Sequence, residues 1–252
     1  MTVDQCARRK TIGILGGMGP AATVDFYRRI VDSTRALRDQ DHLHVLIDSQ
    51  PEVPDRTAFL FGQGTDPTPT LLAMARSLEQ AGADLLVIAC NTAHAFAAQV
   101  ATSVRVPLVN WIEEVTSATT ARQPGLRRIG LLATNGTISS GLYQEAFAIH
   151  DVQVLVPDRT AQGRVMAAIY GPSGVKSGST DLGAARDATE AAGRALVERG
   201  AGAILLACTE LSVLFAARSP SWPVPTFDAA QVMAERVIIL AGGEVKHPLP
   251  GR

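Results

Sequence analysis

The chain is short of cysteine and has almost no excess charge of either sign. Its three cysteines, Cys6, Cys90 and Cys208, cannot make a disulfide framework, so we expect free thiols whose positions need another explanation. The 23 lysines and arginines nearly balance the 24 aspartates and glutamates, which leaves a formal net charge of −1 at pH 7. Because such a chain has no strong field that would attract a polyanion, we expect no nucleic-acid partner.

The N-terminal segment lacks a long hydrophobic run. Residues 1–10, MTVDQCARRK, contain neither the apolar stretch of a signal peptide nor the ~20 apolar residues of a membrane helix. The segment is therefore not typical of secreted or membrane-anchored proteins. We expect a cytoplasmic protein with no membrane contact.

Short aliphatic runs alternate with longer, alanine-rich amphipathic segments along the chain. Apolar runs predict strands at 11–16, 43–48, 84–89, 127–132, 152–156 and 203–207. Amphipathic segments predict helices at 20–37, 68–81, 137–149, 160–170, 181–199 and 228–241. Fully apolar strands flanked by helices are typical of a parallel sheet covered on both faces, so we predict an α/β fold.

An internal repeat relates the two halves of the chain. Residues 79–92 align without gaps to residues 197–210, at an offset of 118 (208 − 90) that pairs Cys90 with Cys208. Two further pairs of segments share nearly this offset: 11–16 with 128–133, and 106–109 with 224–227. Three landmarks at one spacing predict two related α/β halves, each ending a core strand in a cysteine.

The two repeated cysteines are candidate acid/base groups. Ligands of open parallel sheets bind beyond the carboxyl ends of the strands, so Cys90 and Cys208 can approach one ligand from opposite sides. Inversion at a carbon atom needs such a pair, because one group removes a proton from one face and the other delivers a proton to the opposite face. A thiol with an ordinary pKa of about 8.5 can be tuned for both roles. A single cysteine here would favour simple packing, whereas two at equivalent positions favour function. We assign Cys6 no role.

Motifs along nearly the whole chain resemble the aspartate/glutamate racemase superfamily, which needs neither pyridoxal phosphate nor a metal. The matching segments are Ile12–Pro20, Pro54–Thr57, Cys90–His94, Leu131–Thr137 and Cys208–Leu211. Glutamate racemases have a histidine directly after the second Cys-Thr pair, whereas this chain has Glu210 there. In this respect the chain resembles the aspartate racemase branch.

The resemblance implies roles for individual residues. Cys90 and Cys208 match the catalytic thiolate and thiol, which exchange roles with the handedness of the substrate. Arg56 matches an arginine that pairs with the side-chain carboxylate of the substrate, and Lys176 a lysine from the second domain. Lys176 could instead be a solvated loop lysine. The other expected substrate contacts are Gly17, Met18, Asn91, Thr92, Thr134 and Thr137.

Some of these residues have structural alternatives. Thr134 and Thr137 could simply cap a helix. His94 and Glu210 are expected to tune the thiols without contacting the substrate.

The resemblance also implies the architecture and the ligands. It predicts two Rossmann-like parallel-sheet domains related by a pseudo-two-fold axis, comprising residues 1–115 plus 223–252 and residues 116–222. The active site is expected in the cleft between them. An acidic amino acid is the expected substrate, aspartate before glutamate, with no cofactor, no metal and a homodimeric assembly.

Other functions remain open at this level. Residues 17–22 satisfy the G-x-G-x-x-A pattern of dinucleotide-binding oxidoreductases, but Asp48 lies roughly thirty residues on, beyond the usual ~20. Broad-specificity amino-acid racemases, hydantoin racemases and maleate isomerases share the scaffold, whereas arylmalonate decarboxylases characteristically keep one cysteine. A non-catalytic amino-acid-binding protein is a further alternative, and binding without exchange at Cα would indicate it.

Overall fold

The computed structural model describes residues 9–246, which form two parallel sheets flanked by helices. The first half contains β1 (Ile12–Gly16), α1 (Pro20–Ser33), β2 (Val45–Ser49), α2 (Arg56–Leu60), α3 (Thr68–Gln80), β3 (Leu85–Ile88), α4 (Ala97–Thr102) and α5 (Trp111–Arg122). The second contains β4 (Arg128–Leu132), α6 (Asn135–Ser139), α7 (Leu142–Ala148), β5 (Gln153–Leu155), α8 (Arg159–Tyr170), α9 (Gly183–Glu198), β6 (Ala203–Leu206), α10 (Thr209–Leu214), β7 (Thr226–Asp228) and α11 (Ala229–Leu240). Cys6 lies outside the described residues.

The two sheets repeat one topology, as the sequence predicts. Their strand orders are β2-β1-β3 and β5-β4-β6-β7, and all strand pairs are parallel. A single parallel bridge between Leu86 and Leu108 extends the first sheet. The equivalent pair in the second sheet is Ile204 of β6 with Thr226 of β7. Both pairs keep the sequence offset of 118 (204 − 86 and 226 − 108). The predicted α/β fold of two pseudo-symmetric halves is therefore confirmed.

Equivalent glycines let each central strand pack tightly. A Cβ atom on Gly13 would lie 2.6 Å from the Leu86 side chain, and one on Gly130 would lie 2.5 Å from the Ile204 side chain. Real Cβ atoms do not approach other atoms so closely in packed cores. Both strands therefore need glycine so that the neighbouring strand can fill the space.

A shared apolar core joins the halves. One cluster of buried side chains includes Ile14 of β1, Leu205 of β6 and residues of α5, α7 and α11. Its largest members are Trp111, Tyr143 and Phe26, which are completely buried. Helix α11 contacts both α1 and α5, so it ties the end of the chain to the first half. Within residues 9–246, no helix combines the length and apolarity that crossing a membrane requires.

Two predicted helices have different bounds in the structure. Helix α1 ends at Ser33 and not at residue 37, because Thr34 is extended and forms an antiparallel bridge with Val245. The predicted helix at 137–149 is divided into α6 and α7 at Gly141, whose φ of 73° is left-handed. A left-handed residue cannot continue an α-helix, and glycine adopts this conformation at little cost.

The position of β7 changes the expected division of the chain. The family resemblance predicts that residues 223–252 belong to the first domain, but β7 hydrogen-bonds to β6 and so extends the second sheet. The following helix, α11, packs on α1 and α5 of the first half, and Val245 beyond it bridges to Thr34. We propose that the domain division lies after Asp228, with α11 as the element that returns to the first half.

Candidate active site

The two repeated cysteines meet in one cleft. Cys90 follows β3 and Cys208 follows β6, and both are buried. Together they line a cavity of about 10 Å³ between the halves, which is room for about one water molecule. The other lining residues are Met18, Arg56, Asn91, Thr92, Thr134, Tyr170, Lys176, Thr209 and Glu210. Most of the predicted site residues are therefore brought together around the two thiols.

A larger cavity of about 520 Å³ adjoins this inner chamber. Met18, Arg56, Tyr170, Lys176 and Glu210 line both spaces. The predicted residue Gly17 lines the outer cavity and not the inner one. An amino acid is much larger than the inner chamber, so it can reach both thiols only if residues at this boundary move.

Cys208 is held as a thiol by its surroundings. Its backbone caps the start of α10, and its Sγ–H donates to Oε2 of Glu210 at 3.2 Å. Burial and the negative charge of Glu210 raise the pKa of Cys208 well above its ordinary value, although Lys176 acts to lower it. Cys208 is therefore protonated at neutral pH and can act as a proton donor.

Glu210 is a buried carboxylate with several donors. Its Oε1 accepts from Nζ of Lys176 at 2.7 Å and from the backbone N–H of Gly19 at 3.1 Å. Burial alone would raise the pKa of Glu210, but Lys176 and the hydrogen bond from Cys208 lower it overall. Glu210 therefore stays ionised, and Lys176 is an ordered residue of the cleft. The alternative of a solvated loop lysine is wrong.

Arg56 places a fixed cation on the Cys90 side of the chamber. Its Nη1 donates to the carbonyl oxygens of Val53 at 3.1 Å and Pro54 at 3.0 Å, and its Nη2 donates to Met18 O at 3.1 Å. Burial acts to lower the pKa of Arg56, but its interactions with Cys90, Tyr170 and Asp55 together raise this pKa above its ordinary value. Three of the five guanidinium protons are thus used, and Nε has no hydrogen-bond partner within residues 9–246. The remaining donors can bind an anionic oxygen or sulfur.

Three threonine hydroxyls connect the halves beside the chamber. Oγ1 of Thr92 lies 2.8 Å from Oγ1 of Thr134 and 2.9 Å from Oγ1 of Thr137. Thr134 also caps α6, because its Oγ1 accepts from the Thr137 backbone N–H at 3.1 Å. The capping alternative is therefore confirmed for Thr134, which lines the chamber as well. Thr137 lies behind the chamber wall and supports the other two hydroxyls.

The amide of Asn91 is oriented by a tyrosine from the opposite half. Tyr143 OH donates to Asn91 Oδ1 at 2.6 Å, and both side chains are buried. Asn91 Nδ2 is buried and has no hydrogen-bond partner in the described part of the chain. Because the oxygen is fixed on Tyr143, the amide presents N–H groups as free donors at the chamber.

Three residues at or beside the chamber were not predicted from the sequence. Thr209 lines the chamber at the position that the repeat makes equivalent to Asn91, so the offset of 118 (209 − 91) could have identified it. Tyr143 and Tyr170 belong to amphipathic helices in which an aromatic residue predicts only core packing. Their roles depend on contacts between the halves, for which the sequence carries no local signal.

His94 lies behind Cys90 and does not line either cavity. Its Nδ1 lies 2.9 Å from the carbonyl oxygen of Cys90, to which it can donate as a neutral ring. Complete burial lowers the pKa of His94 from 6.5 to about 4. The ring is therefore neutral at pH 7 and stabilises the turn that carries Cys90.

His94 makes the fold sensitive to acid. Between pH 6.5 and about 4 the unfolded chain binds a proton at this residue while the folded chain does not, so acidification favours unfolding. Acidification from pH 7.5 to 4.5 should lower the free energy of unfolding of the wild type in part through His94. We expect this decrease to be about 2–3 kcal/mol smaller in His94→Gln. Urea denaturation at both pH values measures this difference. The matched control is His150→Gln at an exposed position, and its free energy of unfolding should decrease as much as that of the wild type. An equal decrease in all three proteins would contradict the assignment.

Comparison with known proteins agrees with this geometry. The family model described as Asp/Glu/Hydantoin racemase matches residues 15–237. The aspartate racemase of Picrophilus torridus is 32% identical, with a TM-score of 0.82 over 94% of this chain and 96% of that chain. An aspartate racemase homologue from Pyrococcus horikoshii is 25% identical, with a TM-score of 0.71 over 92% of this chain and 99% of that chain. The broad-specificity amino-acid racemase RacX of Bacillus subtilis is 27% identical over 239 residues, which cover 90% of this chain and 96% of that protein. The chain therefore belongs to the Asp/Glu/hydantoin racemase family, as its motifs predict.

Proposed function

We propose that the protein racemises an acidic amino acid, aspartate in preference to glutamate, with Cys90 and Cys208 as the acid/base pair. One observation carries the proposal: two thiols from repeat-equivalent strands line a single enclosed chamber between the halves. Two proton-transfer groups on opposite sides of one ligand are the arrangement that inversion at Cα needs.

The surroundings of the thiols support a different resting role for each. Cys208 holds its proton against Glu210, so Cys90 is the group that begins as the base. The Cys90 thiolate removes the α-proton and becomes a thiol, and Cys208 delivers its proton to the opposite face and becomes a thiolate. The mirror-image substrate uses the same two steps in reverse.

Positive charge in the chamber supports the carbanionic transition state. The α-proton beside an ionised carboxylate is weakly acidic, so charge that develops on the carboxylate needs fixed donors. Arg56, Lys176 and the free Nδ2 of Asn91 provide them at the chamber wall. The enclosed volume excludes bulk water, which strengthens these interactions.

Two cations also favour a substrate with two carboxylates. Arg56 belongs to the first half and Lys176 to the second, so each carboxylate can find its own partner. Pocket shape then selects between aspartate and glutamate, which differ by one methylene worth about 1–3 kcal/mol. The proposal therefore predicts a preference for aspartate and not absolute specificity.

Broader specificity is a second candidate, favoured by the outer cavity. Its volume of about 520 Å³ exceeds what aspartate needs, and apolar residues such as Pro51, Val53 and Val175 contribute to its wall. The similarity to RacX also supports this candidate. A longer apolar side chain could extend from the thiols into this space.

A substrate panel separates these candidates. Racemisation of both enantiomers of aspartate, glutamate, leucine and lysine is followed by chiral chromatography, with no cofactor added. We expect aspartate to give a kcat/KM at least roughly tenfold above that of every other member. Comparable values for leucine or lysine would favour the broad-specificity racemase, and no racemisation of any member would contradict both candidates.

Tyr143 is expected to act as a positioning residue for Asn91. Replacing Tyr143 by phenylalanine removes the hydroxyl that fixes the Asn91 amide, so the amide can rotate away from the substrate. We expect the KM for aspartate to rise roughly tenfold and the unfolding free energy to fall by about 1–3 kcal/mol. Steady-state kinetics and urea denaturation measure the two effects. The matched control is Tyr27→Phe at a half-exposed position, which should change neither value. An unchanged KM in Tyr143→Phe would exclude the positioning role.

A further inference from the structure

One peptide group forms hydrogen bonds with three charged side chains at the boundary between the two cavities. The carbonyl oxygen of Met18 accepts from Arg56 Nη2 at 3.1 Å and from Lys176 Nζ at 2.9 Å. The N–H of the same peptide, on Gly19, donates to Glu210 Oε1 at 3.1 Å. A single rotation of this peptide would therefore change the partners of all three side chains together.

The Met18 oxygen lies where two cationic side chains converge. Arg56 comes from the first half and Lys176 from the second, and both donate to this one atom. A carbonyl carries only a partial negative charge, whereas a carboxylate forms stronger, charge-assisted hydrogen bonds with the same donors. The carboxylates of the substrate can therefore compete with the Met18 carbonyl for these two cations.

We propose that the Met18–Gly19 peptide rotates by about half a turn when an amino-acid dicarboxylate binds. The carbonyl then leaves Arg56 and Lys176, and the Gly19 N–H turns toward the bound carboxylate as a third donor. This inference rests on the proposed function, because it describes how the substrate of that same site is admitted.

The flanking backbone is fixed in a way that isolates this peptide. Thr23 Oγ1 accepts from the Gly17 N–H at 2.8 Å and donates to the Gly19 carbonyl oxygen at 3.0 Å. The backbone N–H of Thr23 donates to the same Gly19 oxygen at 3.0 Å. One side chain thus fixes the chain on both sides, and the peptide between them can turn without displacing β1 or α1.

The rotation explains why residue 19 is glycine. In the present conformation Gly19 has φ of −110°, which any residue can adopt. A Cβ atom there would lie 3.3 Å from Glu210 Oε1 and 3.7 Å from Lys176 Nζ, which is tight but needs only a small adjustment. A half turn of the peptide would bring φ of Gly19 to about +70°, the region that glycine enters at little cost.

The same movement would change the environment of Cys208. Glu210 would lose its hydrogen bond from Gly19 and would share Lys176 with the substrate. Its other partners, the Cys208 thiol and the Thr209 hydroxyl, would be unchanged. A carboxylate with fewer donors holds the thiol proton more strongly, so substrate binding would be coupled to the proton-transfer group.

A structure of the full chain bound to succinate tests the rotation directly. Succinate has the two carboxylates of aspartate but no α-amino group. We expect the Met18 carbonyl to point away from both cations and the Gly19 N–H to lie within hydrogen-bond distance of a succinate oxygen. Bound succinate with the Met18 carbonyl still on Arg56 and Lys176 would overturn the rotation while leaving racemisation unaffected. No succinate binding together with no exchange of aspartate would overturn the proposed function and this inference with it.

A glycine variant tests the same point in solution. Gly19→Ala should fold with an unchanged melting temperature but should bind succinate roughly tenfold more weakly in calorimetry, because an L-residue resists positive φ. The matched control is Gly163→Ala on α8, where a Cβ atom would contact nothing within 4 Å, and its affinity should equal that of the wild type. Wild-type affinity in Gly19→Ala would contradict the rotation.

Discussion

Replacing either Cys90 or Cys208 by serine is expected to lower the rate of aspartate racemisation by roughly 10²–10⁴-fold. A serine hydroxyl fits the space of the thiol but ionises far less readily, so it cannot serve as the base. Each variant should still exchange the α-proton of the one enantiomer that faces its remaining thiol. The favoured enantiomer should be opposite in the two variants, because the proposed mechanism has the two thiols act on opposite faces of Cα.

The third cysteine provides the matched control for this experiment. Cys6→Ser makes the same chemical change at a residue to which the sequence assigns no role, and its racemisation rate should equal that of the wild type. Thermal unfolding of all three variants shows whether the fold is retained. If either buried-cysteine variant keeps more than roughly a tenth of the wild-type rate, that thiol is not an essential acid/base group.

Replacing Glu210 by glutamine is expected to convert Cys208 into a more reactive thiol and to slow racemisation by about 10- to 100-fold. The negative charge of Glu210 raises the pKa of Cys208, so removing that charge lowers this pKa and makes the thiolate more abundant at neutral pH. Lys176 also loses its ion pair at 2.7 Å and can move from its place beside the chamber.

The two effects of this substitution can be measured separately. The parent chain carries Cys6→Ser and Cys90→Ser, so that Cys208 is its remaining thiol. We follow the rate of its alkylation by iodoacetamide and the ultraviolet absorbance of its thiolate as the pH is varied. We expect Cys208 to react at lower pH in Glu210→Gln than in its parent. Glu210→Asp keeps the charge and should behave more like the parent, whereas identical profiles for all three chains would show that Glu210 does not control the thiol.

Much of this site could be predicted from the sequence because it follows from the repeat. The repeat predicts that both halves share one topology, and parallel strands bring their carboxyl ends to one edge of the sheet. Cys90 and Cys208 were therefore expected to converge, and they line one chamber. The family motifs added Arg56 and Lys176, which both lie at its wall.

The remaining features depend on contacts between distant segments. Tyr143 reaches Asn91 only because the two halves pack against each other, and nothing in its own helix indicates that partner. The three-residue strand β7 forms by pairing with β6 and is too short for a periodic signal. The conformation of Gly141 likewise divides a helix whose amphipathic pattern continues across it. The homodimer and the cytoplasmic location stay predictions.

Deuterium incorporation during the first turnovers of L-aspartate in heavy water shows whether two opposed cysteines act on the substrate. When two opposed cysteines racemise L-aspartate, the thiolate of one takes up the α-proton and the thiol of the other delivers deuterium, because thiol protons exchange with solvent. The account therefore predicts that newly formed D-aspartate carries deuterium at Cα while the remaining L-aspartate carries none. Equal early deuteration of both enantiomers, or product that retains the original proton, would show that one group acts on both faces and would contradict the account.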